Sequence, residues 1–248
     1  MPFTFSHPFI ILPLCRKVNR YLSITGLVIG SMSLDFEYFI YMRKLDHESY
    51  HSLTGIFVFG LPAGLALAFL YHLLIRDMFI DNLPDFWSRR FRRYKQLDWV
   101  LYFRSNYLVV ISSLLIGIVS HLLLDGLTHA TGIFVRWMPF LQQKFSWTGH
   151  AIPLYDVLQG LLSLIGAFLI YYSLTKIRPD DHPEGQKSFR PTYWLCLAAF
   201  FSIIMLVRLI ADRIHNDPVD LLIASIGAIL LSGILTSLLL SGTMLRQV

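Results

Sequence analysis

Several residues that could do chemistry lie at helical spacing within apolar sequence. His121, Asp125 and His129 follow one another at intervals of four residues. If one helix runs through all three, this spacing places them on the same face. His121 and Asp125 lie within or against an apolar run, where ionisable side chains are costly and tend to be functional. Imidazole and carboxylate groups together form a ligand set for zinc, manganese or iron.

Further histidines and acidic residues occur at the ends of other apolar segments. These additional candidates are His7, Asp35, Glu37, His47, His51 and His150. More than four candidates indicate either a two-metal site or one ion whose ligands are oriented by further partners. Three of all these candidates, including His129, also have simpler interpretations. His129 could cap a helix end, His47 could be a solvated loop residue, and Glu37 could face lipid headgroups.

The segments that must position these residues are typical of membrane helices. Hydrophobic residues make up 55% of the 248 residues and charged residues 15%, against roughly 25% charged residues in soluble domains. A spanning helix needs about 20 apolar residues, and five segments qualify, at 53–75, 107–124, 154–174, 193–211 and 219–240. Two shorter apolar pieces, 5–14 and 21–33, precede them. The sequence predicts an all-α, polytopic membrane helical bundle of about seven segments, the first two short.

The two short pieces are predicted to form a helical hairpin that enters the membrane and turns at Arg16, Lys17 and Arg20. Such partial spans require cover from surrounding protein. The whole chain is predicted to be one membrane domain. Residues 1–160 would contain the metal-site core, and residues 161–248 would add further transmembrane helices.

The basic residues predict an orientation. The connections 76–104 and 176–190 are rich in Lys and Arg, and loops of this kind face the cytoplasm. Alternation then places the N-terminus and the connection 125–153 outside and the C-terminus inside. In this topology the candidate ligands all face the outer side of the membrane.

Other chemistries have little support in the sequence. It contains no Gly-rich phosphate loop and no Gly-x-Ser-x-Gly elbow. Cys15 and Cys196 are too few for a disulfide framework or a cysteine zinc site. The basic run 89–95 is interleaved with aromatic residues, and its position beside a span favours anionic lipid over nucleic acid as its partner.

The motifs together resemble a known bacterial membrane family of unknown function. The chain opens with Met-Pro-Phe-Thr-Phe-Ser-His-Pro at residues 1–8, continues with Leu-Asp-Phe-Glu at 34–37 and His-Ser at 51–52, and carries a His-x-x-x-Asp motif at 121–125. Members of that family open with Met-Pro-Phe-Thr-x-x-His-Pro. The family is in turn similar to the YdjM-like inner-membrane proteins, which are inferred to be metal-dependent hydrolases. The resemblance covers roughly the first 160 residues.

The resemblance implies which residues form the site. It marks the metal-ligand candidates His7, Asp35, His51, His121 and Asp125, with His129 less firmly, and it also marks Glu37. Leu34 departs from the family pattern, which has proline there. Because Leu34 is not a ligand, this departure concerns the backbone turn before Asp35 rather than the metal.

Residues and resemblance together predict a metal-dependent hydrolase at the outer face of a bacterial inner membrane. The cofactor would be a divalent ion, zinc in the first place, with manganese or iron as alternatives. Asp35 or Glu37 would act as general base. Membrane lipids are the expected partners and a lipid-like phosphoester the expected substrate, whereas no nucleic acid is expected and the oligomeric state is open. The alternatives are a metal or lipid transporter or channel that uses the same residues, and a non-catalytic membrane protein with a structural metal.

Overall fold

The structure is a computed structural model that describes residues 4–15, 21–43, 45, 50–147, 150–180, 191–211 and 217–244. Its helices are α1 (Thr4–Cys15), α2 (Ile24–Gly30), α3 (Phe36–Tyr41), α4 (Leu53–Asn82), α5 (Asp85–Phe91), α6 (Trp99–Thr128), α7 (Ile133–Trp137), α8 (Leu154–Thr175), α9 (Pro191–Ala211) and α10 (Pro218–Met244). Most of α1, Thr4–Ile11, is a 3-10 helix. Short 3-10 turns occupy Ser33–Asp35, Arg92–Gln96 and Pro139–Gln142. The prediction of an all-α bundle is confirmed.

Within the described residues, five helices are long and apolar enough to cross a membrane, namely α4, α6, α8, α9 and α10. Helix α8 has 22 residues, a length of about 33 Å at the helical rise, which matches a hydrocarbon core of about 30 Å. Helices α1 and α2 are too short to span. The predicted pattern of two short and five long segments is therefore confirmed.

The connections are more regular than the sequence indicated. Most of the basic stretch 76–104 is helical, because α4 runs on to Asn82 and α5 and α6 follow closely. The guanidinium of Arg76 is buried there and donates to the carbonyls of Leu97 and Lys95, at 2.8 and 3.2 Å. These bonds fold the stretch back on itself, so the prediction of a loop was wrong at this point.

A second departure lies in the polar connection 125–153. Helix α6 continues to Thr128, and the chain later forms an antiparallel hairpin of β1 (Lys144–Trp147) and β2 (His150–Pro153). The predicted basic turn at Arg16, Lys17 and Arg20 lies outside the described residues, as does His47.

The chain divides into two compact units. The first contains residues 1–35, 49–65 and 106–176, and the second contains residues 36–48, 66–105 and 177–248. Apart from Glu37 and the undescribed His47, every candidate site residue lies in the first unit.

In the first unit, glycines bring α2 unusually close to α6. A Cβ atom at Gly30 would lie 2.3 Å from the carbonyl oxygen of Leu114, and one at Gly117 would lie 2.4 Å from that of Leu27. Real Cβ contacts are longer than this, so both positions need glycine while the two backbones touch. This contact places the end of α2 beside the C-terminal half of α6, where His121 and Asp125 lie.

A small apolar core lies next to the turn that contains Asp35. Leu34, Ile56 and Ile118 are fully or almost fully buried and pack together. The turn Ser33–Asp35 forms with leucine at position 34, and the Asp35 amide donates to the carbonyl of Met32 at 3.1 Å. Leucine at this position therefore anchors the turn through its side chain.

Another glycine holds the N-terminal helix. Gly166 of α8 lies against α1, and a Cβ atom there would be 2.9 Å from the carbonyl oxygen of Ser6 and 2.8 Å from the Phe9 ring. Because α1 rests directly on the backbone of α8, the position of His7 depends on this contact.

In the second unit, α3 is held at its C-terminal end by an arginine of α9. Met42 adopts a left-handed backbone conformation with φ of 52°, and Arg208 donates to its carbonyl through Nε and Nη2 at 3.2 and 3.1 Å. The guanidinium fork thereby satisfies a carbonyl at the end of a short helix.

We predict that Gly117→Ala destabilises the protein because the new methyl group forces α2 away from α6. Overpacking of this kind lowers the free energy of unfolding by about 1–3 kcal/mol. The matched control is Gly160→Ala on α8, where an added Cβ meets no described atom within 4 Å. Thermal unfolding in detergent should show a lower Tm for Gly117→Ala and no loss for Gly160→Ala. Equal Tm values would contradict the close contact of the two helices.

Candidate metal centre

Four side chains from three chain segments converge in the first unit. Asp35 ends the turn Ser33–Asp35, His51 precedes α4, and His121 and Asp125 lie one turn apart on α6. One ligand atom from each lies within 4.8 Å of those from the other three. This Asp-His-His-Asp group could hold a metal ion.

The spacing of the four ligand atoms is regular. His51 Nε2 lies 3.3 Å from Asp35 Oδ1 and 3.5 Å from Asp125 Oδ2. His121 Nε2 lies 3.4 Å from Asp35 Oδ1 and 3.0 Å from Asp125 Oδ2. The two Nε2 atoms are 3.4 Å apart. Five of the six pairs in the group are thus separated by 3.0 to 3.5 Å.

Coordination of an ion explains these distances better than hydrogen bonding does. Tetrahedral ligand atoms about 2.0–2.2 Å from zinc stand about 3.3–3.6 Å from one another. Hydrogen bonds between nitrogen and oxygen are usually about 2.9–3.0 Å long, and most of the contacts in the group exceed that. The geometry therefore fits four ligands around a common centre.

Burial makes a counter-charge necessary. The side chain of Asp35 is inaccessible to solvent and that of Asp125 is 11% exposed. Asp35 Oδ2 has no hydrogen-bond partner among the described residues, and an unsatisfied buried acceptor costs about 1–3 kcal/mol. A divalent ion would balance two carboxylates when both imidazoles are neutral, which is the protonation state that metal binding requires.

Asp35 is a carboxylate even when no ion is bound. Burial raises the pKa of Asp35, but the positive charge of a protonated His121 and hydrogen bonds with His121 and His51 lower it by more. The pKa of this carboxyl therefore lies below its usual range, and Asp35 is ionised at neutral pH.

Helix α2 fixes the orientation of His121. His121 Nδ1 lies 2.9 Å from the carbonyl oxygen of Ser31. Because a carbonyl can only accept, Nδ1 carries the hydrogen and Nε2 keeps its lone pair for the centre. A backbone carbonyl commonly orients a metal-bound histidine in this way. The close contact between α2 and α6 at these glycines thus determines which nitrogen of His121 faces the centre.

The His-Ser pair at 51–52 has a clear local role. Ser52 caps α4, and its hydroxyl accepts from the Gly55 amide at 3.1 Å. A Cβ atom at Gly55 would lie 1.9 Å from the carbonyl oxygen of Tyr50, so glycine is needed for the chain to enter the helix here. This cap fixes the backbone next to His51 and so directs its imidazole towards Asp35 and His121.

The other oxygen of Asp125 faces two further histidines. Oδ1 lies 3.4 Å from His7 Nε2 and 3.4 Å from His129 Nδ1. The His7 ring stacks on His121 with centroids 4.5 Å apart, and His7 Nδ1 donates to the Thr4 carbonyl at 3.1 Å. His7 and His129 therefore border the four-residue group through Asp125.

Helix α8 contributes a residue that sequence analysis missed. Gln159 Nε2 lies 3.3 Å from His129 Nε2, while His129 Nδ1 lies 3.3 Å from the backbone carbonyl of Asp125. A consistent pattern has Nδ1–H donating to Asp125 and Nε2 accepting from Gln159. Both ring nitrogens of His129 thus contact protein groups. The available signal was the pair of polar side chains Asp156 and Gln159 near the start of a largely apolar helix, at the same end as the cluster.

Two other candidates, Glu37 and His150, are not among the four residues whose ligand atoms converge. Glu37 is buried in α3 of the second unit. The backbone of His150 begins strand β2.

Comparison with models of protein families assigns the chain to one family. A family model described as Domain of unknown function (DUF4184) matches residues 1–243. The chain belongs to the DUF4184 family. Comparison with curated proteins and with solved structures gives no match. The chemistry of this DUF4184 protein must therefore be argued from its own geometry.

We predict that Gln159→Leu weakens metal binding by the DUF4184 protein without abolishing it. The change removes the donor that holds His129 against Asp125. Loss of a partner that contacts a ligand directly typically lowers metal affinity about 10–100-fold, and Gln159 acts one contact further out, so we expect an effect at the lower end of this range. Gln142→Leu is the control, because Gln142 bonds to the Val135 carbonyl in a different segment. Chelator competition measures both affinities. Equal effects of the two substitutions would show that His129 does not support the centre.

Proposed function

We propose that this protein is a membrane-embedded, metal-dependent hydrolase that acts on a lipid-like phosphoester. Asp35, His51, His121 and Asp125 would hold the ion. The observation that supports this most directly is the set of 3.0 to 3.5 Å separations among their four ligand atoms. Zinc is the first choice because these five separations match those expected between ligands of zinc, and manganese or iron would also accept imidazole and carboxylate ligands.

The ion would supply Lewis acidity that polarises a phosphoryl or carbonyl oxygen and lowers the pKa of water towards about 7. Groups of the protein itself orient the side chains of the site. Ser31 and Thr4 orient the imidazoles of His121 and His7 through their carbonyls. Asp125 Oδ2 faces His51 and His121. Its other oxygen, Oδ1, faces His7 and His129.

A hydrolase also needs a proton acceptor. Asp35 fits this role, because one of its oxygens faces the two histidines of the group while the other has no hydrogen-bond partner among the described residues. Asp35 is ionised at neutral pH, which is the state that a general base needs, and its lowered pKa makes it a weak base.

The sequence resemblance supports the same reaction class. The motifs at 1–8, 34–37, 51–52 and 121–125 resemble those of the bacterial family that is similar to the YdjM-like inner-membrane proteins, which are inferred to be metal-dependent hydrolases. Four of the candidates that this resemblance marks are those that converge in space. We extend the proposal to location in a bacterial inner membrane, with membrane lipids as partners.

A structural metal is the second candidate function, and one observation favours it. Four protein ligands make a closed set, as in structural zinc sites, whereas catalytic zinc sites usually keep one position open. In that case the ion would join α6, the His51 segment and the turn at Asp35 without turning over a substrate.

We predict that His51→Gln and Asp125→Asn abolish both bound metal and hydrolysis. Each removes one ligand with little change in volume. His72→Phe is the control, because His72 is another buried histidine in a helix but stacks on Trp99 with centroids 4.3 Å apart. Elemental analysis of purified protein measures the metal, and release of phosphate from phosphatidic acid and from a polyprenyl phosphate in mixed micelles measures activity.

The result distinguishes the two candidates. Stoichiometric metal with phosphate release that stops on chelation supports the hydrolase. Stoichiometric metal without release from either substrate, together with a lower Tm after chelation, favours the structural ion. Absence of metal from wild-type protein after incubation with zinc, manganese and iron refutes both.

We also predict the orientation. The connection 125–153 faces outward and the basic stretch near Arg90 faces the cytoplasm, because arginine and lysine accumulate on the cytoplasmic side. In a variant without Cys15 and Cys196, an impermeant maleimide should label Lys144→Cys in intact cells and should miss Arg90→Cys. Labelling of Arg90→Cys alone would reverse the topology.

A further inference from the structure

The segment that follows the site helix exposes large apolar side chains. It runs from α7 through the turn Pro139–Gln142 to β1, and we call residues 133–145 the interfacial segment. Its exposed apolar members are Ile133, Trp137, Met138, Phe140 and Phe145, with Trp137 72% and Phe145 60% exposed. Large apolar side chains exposed together in one short segment indicate an interaction site.

The interfacial segment has a fixed structure rather than being an open loop. Val135 and Leu141 are buried, and the Gln142 side chain donates to the Val135 carbonyl at 2.9 Å. At its end, the Leu154 amide donates to the Gln143 carbonyl at 2.9 Å. The apolar side chains are therefore exposed on a folded support.

The same segment is joined directly to the candidate metal centre. The Gly132 amide donates to the carbonyl of His129 at 2.8 Å. The Phe134 ring packs on Gly126, the residue after Asp125, where an added Cβ atom would lie 3.1 Å from the ring. The segment therefore borders the part of α6 that carries the site.

Chain connectivity indicates what covers this surface. The 30 residues of α6 extend about 45 Å, which exceeds a hydrocarbon core of about 30 Å. The chain breaks its helix after Thr128 and later enters α8, a second candidate span, so residues 129–153 begin and end at one membrane face. The interfacial segment is thus continuous in the chain with two candidate spanning helices.

The charge of the segment fits the same partner. Arg136 and Lys144 are exposed among the apolar residues, and residues 133–145 contain no acidic side chain. Aromatic residues concentrate at the level of lipid headgroups, and basic residues there attract anionic lipid.

We propose that the interfacial segment binds the bilayer, with its aromatic side chains among the headgroups and Arg136 and Lys144 at the lipid phosphates. The candidate metal centre is then bordered by lipid headgroups, a position suited to an amphiphile that stays in the membrane. Only this last consequence rests on the proposed hydrolase function. The membrane contact stands independently of it.

Depth-dependent fluorescence quenching tests the contact. Phe140→Cys and Phe145→Cys, each in a protein with Cys15→Ala and Cys196→Ala, are labelled with bimane and reconstituted in vesicles of phosphatidylethanolamine and phosphatidylglycerol. One vesicle set contains lipid brominated near the headgroup end of its chains, and iodide is the aqueous quencher. Leu164→Cys is the lipid control because it is 72% exposed within α8. Pro179→Cys, exposed beyond the end of α8, is the aqueous control.

The expected result is quenching of both test labels by brominated lipid, several-fold stronger than at position 179, with little quenching by iodide. Quenching by iodide alone would place the segment in water and overturn the proposal. Protection from both quenchers would indicate cover by protein, such as a second copy of the chain, and would overturn it as well. Metal content is measured on the same samples. Lipid contact without metal therefore refutes the hydrolase alone, and metal without lipid contact refutes this inference alone.

Discussion

The first unit depends on one electrostatic constraint, which is that two buried carboxylates close to each other need a compensating positive charge. Asp35 and Asp125 face the same two imidazoles at 3.0 to 3.5 Å, and burial of an unneutralised charge is strongly unfavourable. Neutral imidazoles cannot compensate two negative charges, whereas a divalent ion with two neutral histidines gives a balanced group. The arrangement of three chain segments around this point is most simply understood as construction of one cation site.

The rest of the first unit holds these ligands in place. Glycine contacts bring the end of α2 to α6, so that a backbone carbonyl orients His121. The Ser52 cap fixes the chain next to His51, and the buried side chain of Leu34 anchors the turn that contains Asp35. The contact of Gly166 with α1 sets the position of His7. Small residues and a helix cap set the backbone geometry of the centre, and polar partners such as the Ser31 carbonyl and Gln159 orient its side chains.

Much of the fold was predictable from the sequence, because spanning helices are long apolar runs and their approximate bounds can be read from composition. The convergence of Asp35, His51, His121 and Asp125 was anticipated from helical spacing and from the motifs of the resembling family. The close contact of α2 with α6 was not predicted. A glycine in the sequence indicates close packing only when the helix that it contacts is known. Gln159 was missed for the same reason, because its partner His129 lies thirty residues earlier in the chain. The helical form of the basic stretch depended on the tertiary bonds of Arg76.

X-ray absorption spectroscopy of the purified, metal-loaded protein tests the central claim most directly, because it reports ligand types around the ion itself. The account predicts nitrogen and oxygen ligands at about 2.0–2.2 Å, with the outer-shell scattering of two imidazole rings, and no bound metal in His121→Gln prepared in the same way. A spectrum with sulfur ligands, or one without imidazole scattering, would contradict it.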